Sequence, residues 1–219
     1  MARRTKEEAL ATRNSLLDTA EQVFLKKGVS RTSLEDIAKA AGVTRGAIYW
    51  HFKNKAELFD AMMERVSLPM EEMTARAGDD ELTDPLASVR ACALTVLERL
   101  TADAQCQRVF EISCHKVEYV DEMEQLRARH IECRTGCLAQ IERGLRNAVK
   151  KRQLPASVNP RYAAIGLYAL VDGLIMNWVL DPKALPLAKA AAPLVDTFLA
   201  GLGAAAPRRA PKRQAVRRR

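Results

Sequence analysis

Residues 32–55 read TSLEDIAKAAGVTRGAIYWHFKNK, and the cap and stop signals inside that string decide the fold. Thr32 and Glu35 have the spacing of a capping box, in which a hydroxyl accepts from a backbone N–H three residues on and a carboxylate reaches back. Leu34, Ile37, Ala38 and Ala41 then recur at helical spacing, and Gly42 supplies the stop. Only Gly42 and Val43 precede Thr44, a new N-cap residue, so a short helix running to His51 follows a tight turn. Asn54 and Glu57 repeat the cap ahead of a helix that carries Leu58, Phe59, Met62 and Val66 and extends to about Leu68. Two short helices across a glycine turn, with a helix on either side, spell a helix-turn-helix unit.

Working outward, Leu16, Leu17, Ala20, Val23 and Phe24 place a helix over Lys6–Lys27, closed by Gly28. Downstream the apolar spacing stays helical over Asp84–Leu100, Ala102–His115, Asp121–Lys151, Pro160–Leu180 and Leu187–Leu202. Pro85, Pro155, Pro182 and Pro186 mark starts or breaks, and residues 78–84 read as a loop. No alternating, strand-like run occurs, so the fold class is all-α. Three regions follow: a helix-turn-helix domain over 1–53, a larger helical domain over 54–203 whose first helix is the connector, and a basic tail over 204–219 expected to be disordered.

Charge separates these regions. Residues 1–55 hold 11 basic and 6 acidic side chains, the body to residue 203 is net −4, and the tail holds 7 basic residues and no acidic one. A basic head on an acidic body is the electrostatic footprint of a nucleic-acid binder. Five cysteines (Cys92, Cys106, Cys114, Cys133, Cys137) lie inside helical patterns with no CxxC pair, and the N-terminus has no apolar leader. Reduced thiols in a cytoplasm are the expectation. Residues 163–180 approach membrane-span length, but Asp172 and Asn177 interrupt them, which favours an interface helix over a membrane span. No phosphate loop, nucleophile elbow or HExxH string is present, so no catalytic residue is assigned and an enzyme is not expected. His130, Cys133 and Cys137 share a helical face, yet no second ligand cluster accompanies them, so neither a metal nor a cofactor is expected.

A recognition helix needs an apolar inner face and an outer face rich in donors. In the helix from Thr44, Val43, Ala47 and Ile48 point inward, whereas Thr44, Arg45 and Tyr49 point out, and Gly46 lets the backbone approach a duplex closely. Arg45 has the fork geometry for guanine O6 and N7. Thr32, Ser33, Thr44, Trp50, His51 and Lys55 complete the candidate DNA contacts at helix starts and turns. Phe52 reads as core. Arg3 and Arg4, ahead of the first helix, are candidates for backbone or minor-groove contact.

The 32–55 string, with the opening Met-Ala-Arg-Arg-Thr-Lys-Glu-Glu-Ala, resembles the TetR family of transcriptional regulators, and within it the AcrR-type repressors of multidrug efflux pumps. The segments His115–Tyr119, Arg152–Pro155 and Val171–Ile175 are similar to the same group. The resemblance implies a homodimer, a palindromic double-stranded operator, no membrane, and an effector pocket that takes hydrophobic or cationic molecules. Carried over by position, that pocket draws on Cys92, Val96, Phe110, Cys114, Cys137, Ile141, Tyr168, Val171, Asp172 and Met176. Phe110 and Cys114 stand where related repressors carry polar groups, and Asp172, a carboxylate in an apolar helix, needs a partner. Two alternatives stand beside this reading: an architectural DNA-binding protein without regulation, to which the basic tail would add phosphate contacts, and a thiol redox-responsive regulator.

Overall fold

A computed structural model describes residues 6–118 and 124–203. Within them lie nine helices and no strand: α1 (Lys6–Lys27), α2 (Leu34–Ala40), α3 (Arg45–His51), α4 (Lys55–Ala77), α5 (Pro85–Ala102), α6 (Ala104–His115), α7 (Glu124–Lys150), α8 (Pro160–Leu180) and α9 (Leu187–Gly203). Arg3, Arg4, Tyr119, the expected start of α7 at Asp121 and the basic tail lie outside the described residues.

The head is α1–α3. Leu16, Leu17 and Phe24 of α1 meet Ile37 of α2 and Ile48 of α3, all fully buried. Each such side chain contributes about 1.5–3 kcal/mol on leaving water. The capping box that opens α2 is one residue later than the sequence spacing indicates. Ser33, not Thr32, is the N-cap; its hydroxyl accepts from the Asp36 N–H at 3.1 Å, and the Ser33 N–H donates to Asp36 at 3.0 Å. Packing decides the register, because Thr32 is buried and its hydroxyl donates to the Gly28 carbonyl at 2.7 Å. The Ser33 N–H holds the Asp36 carboxyl down at about 2, with Lys27 adding to the effect. Gly42 turns the chain into α3 at φ 67°, a conformation that a side chain resists.

Helix α4 corrects the expected stop near Leu68, for it runs through Pro69 to Ala77. Proline removes one N–H and costs about 3 kcal/mol inside a helix. Beyond it, α4 buries Met70, Thr74 and Ala77, after Val66 on the same side. At about 1.5–3 kcal/mol for a large apolar side chain, that burial outweighs the lost bond.

The larger domain packs α4–α9 together, with α7 against α4, α5 and α8. A single residue, Asp103, ends α5 and caps α6, its carboxylate accepting from the Gln105 N–H at 2.8 Å. Its buried residues are continuous with the head's core through Phe59 and Met62 of α4. Among the described residues one helix, α8, is long and apolar enough to cross a membrane. Much of its surface is open in the single chain, with Tyr162 and Leu180 each more than 70% exposed. Trp178, by contrast, packs against the core.

Candidate DNA-reading helix and effector cavity

Thr44 caps α3 by accepting from the Ala47 N–H at 3.2 Å, which sets the first turn outward from the head. Ile48 anchors the inner side, and Phe52, 1% exposed, is core as the sequence indicates. The outer side carries Arg45, Tyr49 and Trp50, with Trp50 72% exposed. Arg45 is held in place before any duplex arrives: its guanidinium lies 3.1 Å from Glu35 and 5.5 Å from the centre of the Tyr49 ring. Both charged groups are largely exposed, so the pair is weak and readily exchanged for a stronger acceptor. Above Gly46 a Cβ would meet no atom within 4 Å, which leaves the backbone accessible.

Ser33 and Thr44 lie exposed at the starts of α2 and α3, though both hydroxyls already serve as caps. Lys55 reaches the Ser30 carbonyl at 3.2 Å, fixing α4 to the loop before α2. His51 is half-buried beside the Trp50 ring, 4.6 Å away and edge-on. Thr32 is the exception among the candidates. Both its hydroxyl and its N–H bond within the head, to Gly28 and Val29, so it shapes the turn rather than facing a duplex.

The second feature is a cavity of about 250 Å³ bounded by α4–α8. Nine of the ten residues named from sequence line it: Cys92, Val96, Phe110, Cys114, Cys137, Ile141, Tyr168, Val171 and Asp172. Met176 does not; it is 41% exposed on the outer side of α8, and Ile175 takes the lining position. The rotation of α8 explains this. Tyr168, Val171 and Ile175 form its inner row, Asp172 sits at the boundary, and one further turn from Asp172 leads outside.

The sequence reading missed one wall almost entirely. Helix α4, taken there as a connector, contributes Phe59, Asp60, Met63, Glu64, Ser67, Met70, Glu71 and Thr74. A signal existed in the i+4 and i+7 spacing of Phe59, Met63, Met70 and Thr74. From α7 come Arg129, His130 and Arg134. Arg129 pairs with Glu64 at 3.2 Å across the α4–α7 gap. Burial raises the Asp60 carboxyl, opposed by Arg129.

Asp172 is exposed at the edge of the cavity, so water satisfies its carboxylate and the protein partner expected for it is not required; it makes no hydrogen bond or ion pair to another described residue. Burial, and then Asp172, push the Tyr168 hydroxyl up to about 12, which keeps it a neutral donor. Four cysteines line the cavity, and burial pushes Cys114 and Cys137 to about 11 and raises Cys92 and Cys133. Such thiols are the opposite of reactive, which removes the support for redox sensing. No group of three or more ligating side chains suited to a metal occurs among the described residues.

Comparison with known proteins covers both features. Residues 16–62 match the family described as bacterial regulatory proteins, tetR family, and residues 84–203 match the MAATS-type transcriptional repressor C-terminal region. The chain is 42% identical over 199 residues to the HTH-type transcriptional regulator TtgR of Pseudomonas putida, spanning 91% of this chain and 95% of that protein. It is similar in structure to NalD, the secondary repressor of the MexAB-OprM multidrug efflux pump in Pseudomonas aeruginosa, at a TM-score of 0.83 and 36% identity, over 90% of this chain and 98% of that one. A complex of SmeT with triclosan is similar at a TM-score of 0.80 and 34% identity, over 87% and 91% of the two chains.

Proposed function

The chain belongs to the TetR family of bacterial regulatory proteins, and from that premise we propose that it is a dimeric, cytoplasmic repressor of a multidrug efflux operon, released from its operator by hydrophobic or cationic molecules. The observation that carries this reading is the course of α4. It starts at the Asn54 cap, two residues past Phe52 at the end of the reading helix, and then lines the cavity from Phe59 to Thr74. One rigid element therefore touches both the place where DNA is read and the place where a small molecule fits. A ligand that prefers one cavity shape then biases the position of the head by its differential affinity for the two states.

The ligand class follows from the lining. Phe110, Val96 and Tyr168 suit an aromatic or aliphatic body, and Asp172 offers a carboxylate with no partner among the described residues, suited to a cation. The similarity to NalD, named as an efflux-pump repressor, and to SmeT, solved with triclosan, supports both the regulon and the effector class. Dimerisation is supported by the open apolar face of α8, where Tyr162, Ile165 and Leu180 await a cover. Two-fold symmetry then calls for a pseudo-palindromic operator. The proposed contacts are Ser33, Thr44, Arg45, Gly46, Tyr49, Trp50, His51 and Lys55, on a head whose boundary with the sensor falls between residues 53 and 54.

The experiment is a selection of bound fragments from random duplex DNA at two salt concentrations, followed by release with candidate drugs. A two-fold symmetric motif that lipophilic cations displace is the expected result. Binding without a motif that vanishes as salt rises would overturn the reading in favour of an architectural role.

A further inference from the structure

We propose that Cys133 and Cys137 form a dithiol site on the wall of the effector cavity, and that its ligand is an aromatic molecule carrying one trivalent arsenic. The proposal deepens the effector reading and rests on it. The two cysteines are four residues apart on α7, so their Cβ atoms lie about 5–6 Å apart on one face of the helix. Both are half-buried, and both line the cavity. Each sulfur is one bond from its Cβ, so rotation about χ1 brings the two toward a common atom. Helix α4 faces the pair. Cys133 Sγ donates to Glu71 Oε1 at 3.7 Å, and the Thr74 hydroxyl lies 3.3 Å from the Cys92 sulfur. Burial first, then Glu71, Cys92 and Cys133, push the Cys137 thiol up to about 11, so three thiols and one carboxylate are neighbours here. Cysteines serving only as small hydrophobes need no carboxylate beside them.

Three features select the ligand. The first is valence. Two thiols are too few for a metal ion that takes three or four protein ligands, and no group of three suited to one occurs among the described residues. Trivalent arsenic bonded to an aryl group needs two more bonds, which the pair supplies. The second feature is burial. Loss of a thiol proton to water is disfavoured here, which makes these sulfurs poor partners for oxidants and for free cations. Condensation with an arsonous acid leaves no charge behind. Two S–H and two As–OH bonds break, two As–S bonds form, and each thiol proton departs with a hydroxyl as water. Arsenic stays trivalent throughout, so no oxidant or reductant takes part. Glu71 can accept the Cys133 proton and pass it to the departing hydroxyl. The third feature is room for the aryl group. Ile141, one turn after Cys137, lines the cavity with Phe110 and Val96. An apolar cavity of about 150 Å³ already holds benzene, and this one has about 250 Å³.

The test uses the full chain and phenylarsine oxide, which in water presents one phenyl group and two exchangeable As–OH bonds. Native mass spectrometry should show one arsenical per chain, at the summed mass of chain and arsonous acid less two waters. Calorimetry should show binding that a dithiol reverses and an equal excess of monothiol does not. Cys133→Ser and Cys137→Ser should each weaken it by about 10²–10⁴-fold, the gain from making the second bond intramolecular. Cys106→Ala, buried outside the cavity, should leave it unchanged. Melting and the affinity for a neutral aromatic ligand are recorded for every variant, and alanine replaces serine at either position should a serine variant fail to fold. Full affinity in a folded variant at Cys133 or Cys137, or equal reversal by monothiol and dithiol, overturns the site. With the operator selected above, the arsenical should release the wild type and neither variant. An adduct that forms and leaves the chain on its operator overturns the effector role. A wild type that enriches no symmetric motif overturns the operator reading, while mass and affinity still decide the site by themselves.

Discussion

The head and the sensor solve opposite problems with the same helices. In the head, Leu16, Leu17, Phe24, Ile37 and Ile48 close a filled core, and the functional groups Arg45, Tyr49 and Trp50 stand outside it. In the sensor the helices stop short of closure, and Tyr168 lines the inside with Asp172 exposed at its edge. A convex reading surface tolerates no softness beneath it, because a side chain must meet a base edge in a fixed place. A hollow one needs walls that can shift, and the pair of Arg129 with Glu64 spans the gap between α7 and α4. Rigidity in one region and compliance in the other together make a switch.

The sharpest way to break this contrast is at Arg45. Arg45→Ala should remove about 1–3 kcal/mol of base discrimination per half-site while leaving helicity and dimerisation intact. Anisotropy titrations against the operator and a half-site mutant measure it, and unchanged discrimination would take Arg45 out of the reading surface. The rigid part of the sensor wall is tested at Gly144, where an added Cβ would meet the Ala77 carbonyl at 2.5 Å and Val89 at 2.6 Å. Gly144→Ala should destabilise by about 1–3 kcal/mol, visible in thermal melts, because backbone must give way. A neutral substitution there would mean that α4 and α7 are not held at close contact.

Asp172→Asn sharpens the contrast from inside. It should weaken calorimetric binding of a lipophilic cation by about tenfold, or ~1.4 kcal/mol, and leave a neutral aromatic ligand unaffected. Equal losses for both would make Asp172 a structural residue. The smallest effect belongs to the head. Ser33→Ala should cost about 1 kcal/mol through its N-cap. Asp36 is held at about 2, below its ordinary 3.8, by the Ser33 N–H. Its contribution to stability is therefore present above about pH 4 and lost as pH falls toward 2. Chemical unfolding of Asp36→Asn across that window should show the variant losing less stability than the wild type, since Asp80, Asp84 and Asp196 are also held low and remain in both; parallel curves would exclude the capping box as a cause.

The same contrast explains what the sequence could tell. The reading helix is local: the Thr44 cap, the Ile48 anchor and the exposed Arg45 lie within five consecutive residues, and the structure places them as the spacing indicates. The capping box slipped by one residue because both Thr32 and Ser33 carry a hydroxyl, and only the packing of Thr32 against Gly28 chooses between them. The cavity is non-local, built by five helices. Its α5–α8 lining was reached through the family resemblance, whereas the α4 wall looked like a connector because Pro69 suggested an end. Met176 failed for a related reason: spacing along α8 is visible in sequence, but the rotation of α8 about its own axis is set by its neighbours.

The chain's two tryptophans divide between the two regions, Trp50 on the wet face of α3 and Trp178 of α8 half-buried against the sensor core. The molecule therefore carries its own pair of optical reporters. Indole in water emits to the red of indole in an apolar setting, so one emission band contains two separable voices. DNA arriving at α3 should alter the red component, and a change in the packing of α8 the blue one. The order of events, guest before departure or departure before guest, can then be followed in one cuvette without a label.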